Sequence, residues 1–211
     1  EAWGNLWKEA KAAQHQKGYQ QAYRSMEAAA KDTEGEMLFY QSKVCEGVFH
    51  RISSGTTRDG LEVFGKMEKG YLLSVDSNWD MYGDGYLSGH YFSEGALREQ
   101  LEKAYPGLVF TEEPVENQIN MYKRDKVGHI LFLTVGNKTI SGEEFRQLLE
   151  LPSSNFTMQA ADGKIRFLCK GQGHGLGLSQ YGGNVLAKEG KSYKEILRYY
   201  FPECGVQKKD S

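Results

Sequence analysis

The chain has 211 residues, enough for one substantial domain, and its 39% hydrophobic and 26% charged residues describe a globular protein, not a disordered one. A formal net charge of −2 argues against a general nucleic-acid binder, which is usually basic, and leaves sugars and other neutral substrates open. Three cysteines without close pairing and five scattered histidines form neither a disulfide framework nor a ligand pattern, so no metal or other cofactor is expected.

No run of about 18 apolar residues is present, as a membrane-spanning helix would need. The start, Glu1-Ala2-Trp3-Gly4, has neither an initiator methionine nor a signal-peptide pattern, and the chain is expected to be a mature or trimmed product. Residues 1–31 are rich in Ala, Gln, Lys and Glu without proline and read as helix, interrupted at Gly18. Tyr19, Tyr23 and Met26 fall on one stripe of that helix at core-contact spacing. Residues 36–40 and 44–52 read as strands joined by the turn Gln41-Ser42-Lys43.

Residues 79–92 read as an irregular, glycine-rich loop with interleaved Trp79, Tyr82, Tyr86, His90, Tyr91 and Phe92. Its aromatics suit either a sugar-stacking groove or anchors that pin the loop to the core. A helix over 93–105 stops at Pro106-Gly107, and 129–135 form an apolar strand ending in the turn Gly136-Asn137. The capping box Ser141-Gly142-Glu143-Glu144 starts a helix with Phe145, Leu148 and Leu149 inward, ended by Pro152. Residues 156–160 and 164–170 flank Asp162-Gly163, a strong hairpin signal. A helix over 179–188 closes at Gly190, and a second capping box, Ser192 to Glu195, opens a last helix that Pro202 ends. Strands and helices in mixed order, without a βαβ repeat, give an α+β class of mostly antiparallel strands and hairpins with flanking helices.

The run from Gly171 to Gly182 carries five glycines in twelve residues between a hairpin strand and a helix. Such density implies positive φ or close approach of another group. Phosphate-loop spacing is absent, because Leu176 stands where a dinucleotide fingerprint needs glycine. Two chemical readings stay open beside a purely structural turn. Ser179 could be a nucleophile with His174 as its base, which needs a third, orienting group. Alternatively His174, Ser179, Gln180 and Tyr181 form a polar wall suited to sugar hydroxyls and amides.

The run Gly171 to Gly183, continuing through Ala187 to Pro202, resembles the C-terminal signature of the stage II sporulation protein D family, which includes the amidase enhancer. Residues 31–40, then Phe49-His50-Arg51-Ile52-Ser53-Ser54-Gly55-Thr56-Thr57, are similar to that family's strand pair and its Ser/Gly/Thr-rich turn. Residues 71–80 and 140–146 also match, so the resemblance covers about 27–206 in order. It implies one family domain over 1–211, with 1–31 as a helical N-terminal part and 32–206 as the family core.

The resemblance implies a peptidoglycan lytic transglycosylase acting on glycan strands stripped of stem peptides. There one glutamic acid protonates the glycosidic oxygen and the muramyl C6 hydroxyl attacks its own C1, leaving a 1,6-anhydro end. Two-carboxylate glycoside hydrolysis delivers water to that carbon instead. The family's Glu-Met-Pro segment is not found here, since Leu38 follows Glu36-Met37, so the catalytic residue is unassigned and expected outside this chain. The alternative is a non-catalytic glycan-binding or amidase-activating module. Groove-lining residues carried over are His50, Ser53, Gly55 and Thr57, with His174, Ser179, Gln180 and Tyr181. Ser54 stands where glycine is usual and Arg58 where an acid is usual. Implied partners are denuded glycan strands and a cell-wall amidase or other engulfment proteins, with no nucleic acid. The implied location is extracytoplasmic, at the cell wall or sporulation septum, anchored to a membrane through a missing N-terminal segment.

Overall fold

A computed structural model describes residues 17–208. They form six α-helices and eleven strands in small, mostly antiparallel sheets, an α+β arrangement. No helix among the described residues is long and apolar enough to cross a membrane. The chain divides into two compact units, residues 46–204 and a smaller one made of 1–45 with 205–211.

In the smaller unit, helix α1 (Lys17–Asp32) precedes β1 (Glu36–Tyr40) and β2 (Lys43–Val44). Gly18 lies in the first turn of α1, and the expected helix before it falls outside the described residues, as do the contacts of Tyr19. Tyr23 and Met26 are half-buried on one stripe. Gln41 and Ser42 both take positive φ, 48° and 62°, to turn β1 back into β2. Strand β11 (Gly205–Lys208) pairs with the other edge of β1.

The larger unit holds β3 (Phe49–His50), α2 (Gly60–Phe64), β4 (Leu87–Phe92), α3 (Glu94–Ala104) and β5 (Ile119–Arg124). It continues with β6 (Ile130–Val135), β7 (Lys138–Ser141), α4 (Gly142–Leu148), β8 (Phe156–Ala161) and β9 (Lys164–Lys170). Last come β10 (Leu178–Ser179), α5 (Gln180–Lys188) and α6 (Tyr193–Tyr200). Two antiparallel sheets, β5-β6-β7 and β4-β9-β8, bury one face each. Alternation accounts for this: Ile165, Phe167 and Cys169 of β9 point inward, while Arg166 and Leu168 point out. The shared core gathers Leu97 and Leu101 of α3, Ile130, Leu133 and Val135 of β6, and Phe145, Phe156 and Phe167, whose ring centroids lie 5.4–5.8 Å apart.

Both capping boxes form: Ser141 and Glu144, like Ser192 and Glu195, bond reciprocally at their helix starts. Asp162 and Gly163 take φ of 53° and 71°, the two-residue hairpin turn that matches strand twist. Two segments depart from expectation. Residues 79–92 are not one loop: a 3-10 turn over Asn78–Tyr82 is followed by β4, which pairs with β9 from Leu87↔Lys170 to Phe92↔Ile165. Its glycine and aromatics mask a period-two burial pattern. Nor are residues 44–52 one strand, because Val48 turns back to bond the Glu46 carbonyl between β2 and β3.

Candidate functional site

The two segments singled out in the sequence lie side by side in the larger unit. β3 pairs in parallel with β10, placing Phe49 beside Leu178 and His50 beside Ser179. The amides of Arg51 and Ile52 both donate to the Gln172 carbonyl, and the Gln172 amide donates to Ile52 at 2.7 Å. Further along, Arg58 N–H donates to Gly175 at 2.8 Å, and Tyr181 N–H donates to Arg51 at 3.1 Å. This close backbone pairing explains the glycine density. Gly171, Gly173, Gly175 and Gly177 alternate along the run, all with φ between 68° and 105°. A Cβ at Gly173 would stand 2.9 Å from His50 Cβ, and one at Gly175 would stand 3.0 Å from both Arg58 Cδ and His129 Nε2.

Asp80 joins the two segments. Its fully buried carboxylate accepts from the Ser53 amide at 2.7 Å and from the Ser179 hydroxyl at 2.8 Å. Ser179 Oγ in turn accepts from Gly182 N–H at 3.3 Å as the N-cap of α5. Beside it, Ser77 and Tyr200 share a 2.8 Å hydroxyl bond against Gly182. Sequence reading passed over Asp80 as a site residue. It lies at the end of the matched stretch 71–80, but a lone Asp after Trp79 resembles any turn residue.

A second buried network lies behind the first. Arg58 donates from Nε to Asp125 at 2.6 Å and from Nη1 to the His174 carbonyl at 3.1 Å. Asp125 also accepts from the His129 amide at 2.8 Å, and His129 Nδ1 bonds Ser154 Oγ at 2.9 Å. The arginine standing where the resemblance expects an acid thus carries its own buried carboxylate.

Three histidines gather in this region. His50 Nδ1 donates to the Leu176 carbonyl at 3.0 Å, which fixes its tautomer and leaves Nε2 buried without a partner. Burial pulls the His50 pKa from 6.5 down to about 4, against the raising effect of the Leu176 bond and with further lowering from His174. His129 shifts the same way, through burial first and then the positive charge of Arg58, and its Nε2 is likewise unpartnered. Burial also lowers His174, whose Nδ1 accepts from the Leu176 amide at 3.1 Å.

The eight sequence-selected residues therefore divide by exposure. His50, Ser53, Thr57 and Ser179 are buried side chains. Ser53 Oγ accepts from Gly55 N–H, and Thr57 Oγ1 donates to Leu73 and accepts from Val75. Gly55, at φ 103°, packs near Met81 and Asn78. His174 is half-buried, Gln180 is exposed, and Tyr181 is half-buried close to Gly83. The neighbouring 3-10 turn presents Met81 and Tyr82, the latter 81% exposed, to solvent. Ser179 has its hydroxyl committed to Asp80 and His174 its Nδ1 to Leu176, so no base–nucleophile hydrogen bond joins them.

On the other side of Arg58 and His174 opens a cavity of about 440 Å³, walled mainly by Val48, Phe64, Leu72, Phe132 and Leu176, with Glu143 at its lining. Burial acts to raise the Glu143 pKa, but bonds and charge from Arg146 outweigh it and hold the carboxyl below its ordinary range. Among the described residues, no three His, Cys, Asp or Glu side chains assemble as a metal-binding group.

No family model matches the chain. It is 30% identical over 193 residues to stage II sporulation protein D of Bacillus amyloliquefaciens, covering 92% of this chain and 54% of that protein. The same-named protein of Bacillus subtilis (strain 168) is 27% identical over 194 residues, again covering 92% and 54%. The amidase enhancer of Bacillus subtilis (strain 168) is 32% identical over 88 residues, covering 42% of this chain and 12% of that protein. The chain spans about half the length of the sporulation proteins that it matches.

Proposed function

Because this chain belongs to the family of stage II sporulation protein D and the amidase enhancer, we propose that it holds peptidoglycan glycan strands for a sporulation-type lytic transglycosylase. The observation that carries the reading is the locking of two family-like segments through Asp80, beside an open face of Gln180, Tyr181, Met81 and Tyr82. An amide with donors and acceptors beside two phenol rings matches the alternating polar edges and apolar faces of N-acetylated sugars.

The reaction needs a carboxylic acid that is still protonated near neutral pH. Among the described residues, Glu143 and Glu195 titrate below their ordinary range, the wrong direction for that task. In this reading the general acid belongs to a part of the protein outside this chain, and the chain supplies grip and orientation. The protein acts outside the cytoplasm, at the cell wall or sporulation septum, held to a membrane by a segment outside this chain, with a cell-wall amidase or other engulfment protein as partner. The match to an amidase enhancer favours a second reading, a non-catalytic module that binds glycan and activates an amidase.

Sedimentation of the chain with denuded glycan strands tests the common part. Binding is expected, and the double variant Gln180→Ala, Tyr181→Ala is expected to weaken it at least severalfold. Failure of the unaltered chain to bind would remove both readings. Product analysis with the longer gene product separates them: 1,6-anhydro-muramyl ends support the transglycosylase, while an absence of products leaves the module. Reducing ends alone would overturn the transglycosylase.

A further inference from the structure

The β4-β9-β8 sheet turns its second face to solvent, and that face has a definite chemistry. The register sets Tyr91, Arg166 and Gln159 in one row across the three strands. Lys164 and Lys170 stand on the same face of β9, because side chains two residues apart share a face. At about 3.3 Å per residue, the cations from 164 to 170 extend over roughly 20 Å.

Tyr91 is 57% exposed, and its ring lies over Gly89. A Cβ at Gly89 would be 3.4, 3.6 and 3.8 Å from Tyr91 Cε2, Oη and Cζ. The bare glycine thus lets one side of the ring rest on the strand while the other side faces water. Beside it, Arg166 donates from Nη2 to Gln159 Oε1 at 2.7 Å, which steadies the guanidinium fork.

The charge on this face runs against that of the chain. Acidic residues outnumber basic ones overall, 28 to 26, yet the outward positions of the three strands carry no Asp or Glu. Among the described residues, Lys164, Arg166 and Lys170 make no ion pair with a carboxylate. A flat ring takes the apolar face of a sugar, and exposed ammonium and guanidinium groups attract a carboxylate.

We propose that this sheet face is a second docking surface for the glycan strand, one that reads its carboxylates. Removing the stem peptides leaves a free lactyl carboxylate on every muramyl sugar. A denuded strand is therefore a sugar polymer with regularly repeated negative charge. It fits a row of cations beside an aromatic platform better than a neutral glycan does. This inference rests on the glycan-holding reading above and adds the feature of the strand that is recognised.

The test compares binding of the full chain to denuded glycan strands and to neutral chitin oligosaccharides across a salt series. The triple variant Lys164→Gln, Arg166→Gln, Lys170→Gln is expected to bind denuded strands severalfold more weakly at low salt. It should also lose most of the salt dependence that exposed charges confer, with chitin binding unchanged. Tyr91→Ala is expected to weaken both ligands at every salt concentration. All these side chains stand on the solvent face, so the thermal midpoints should stay close to the parent's. A triple variant with the parent's affinity and salt dependence overturns the proposal, as does tighter binding of a polyol-phosphate wall polymer than of the glycan. If Gln180 and Tyr181 substitutions weaken binding while the triple variant does not, only this surface is lost. If the parent chain binds no glycan at all, the glycan-holding reading falls with it.

Discussion

The Asp80 carboxylate is fully buried, and two donors depend on it, the Ser53 amide and the Ser179 hydroxyl. Asp80→Ala strands both, and an unsatisfied buried donor costs about 1–3 kcal/mol. A loss of about 3 kcal/mol or more is expected in urea unfolding at pH 7; a change under about 1 kcal/mol would refute the bridging role. His50 gives a second prediction, in pH. Its folded pKa, about 4, lies below the ordinary 6.5, so the folded state binds fewer protons than the unfolded one between those values. The associated stability is complete above pH 6.5 and drains away as pH falls toward 4, by roughly 3 kcal/mol if the full difference is realised. His129 and His174 shift in the same direction and add to the slope. Urea midpoints measured from pH 7.5 to 4.5 should decline, and His50→Asn should flatten the curve. At this scale the sequence singles out His50, Ser53, Thr57 and Ser179 as groove-lining, but it does not separate side chains that brace a loop from those that face a ligand, and all four are buried. Asp80 and Asp125 were harder still, because their partners lie 27 and 67 residues away in the chain.

Among the elements, local chemistry was legible wherever a few adjacent residues determine the structure. The capping boxes at Ser141 and Ser192 and the Asp162-Gly163 turn need no tertiary partner, and each formed as its residues dictate. Strands β4 and β5 were illegible for a different reason. β4 spends Gly89 under the Tyr91 ring, and β5 pairs with β6 through register shifts between Asn120 and Arg124, which break its alternation. Strand β11, Gly-Val-Gln-Lys, has little apolar content and exists through its pairing with β1. The same contrast between local and tertiary control predicts opposite effects of two alanine substitutions. Gly95, in the first turn of α3, has no atom within 4 Å of a built Cβ. Gly95→Ala should raise stability by about 0.4–1 kcal/mol through reduced unfolded-state entropy. Gly175 combines φ of 76° with 3.0 Å contacts to Arg58 and His129. Gly175→Ala should lower stability by about 1–3 kcal/mol, the range for residues forced into rare backbone regions. Thermal denaturation of the pair reads the sign directly, and equal shifts would remove the close-approach explanation for the glycine run.

Across the whole molecule, buried side chains are distributed unequally. Every buried hydrophobic residue of the described chain lies between Ile52 and Phe201, within the larger unit. The described part of the smaller unit has only half-buried or exposed side chains, including Met37 at 39% and Val44 at 54%. Burial of apolar surface stabilises at about 25 cal/mol per Å², so these described residues, none of them fully buried, have little to set against the entropy of ordering their chain. The described part of this unit, one helix with three small strands, falls below the size at which domains fold without staples or partners. The fragment 46–204 is therefore expected to unfold cooperatively, with a urea midpoint and slope close to those of the whole chain. A fragment of residues 1–45 is expected to show no cooperative transition. The larger unit also contains both locked segments, the Gln180–Tyr181 face and the cationic sheet face, so glycan binding should travel with it. A fragment 46–204 that folds but does not bind would place part of the grip in the smaller unit. A fragment that fails to fold would show that half-buried contacts outside the core carry stability that burial alone does not reveal.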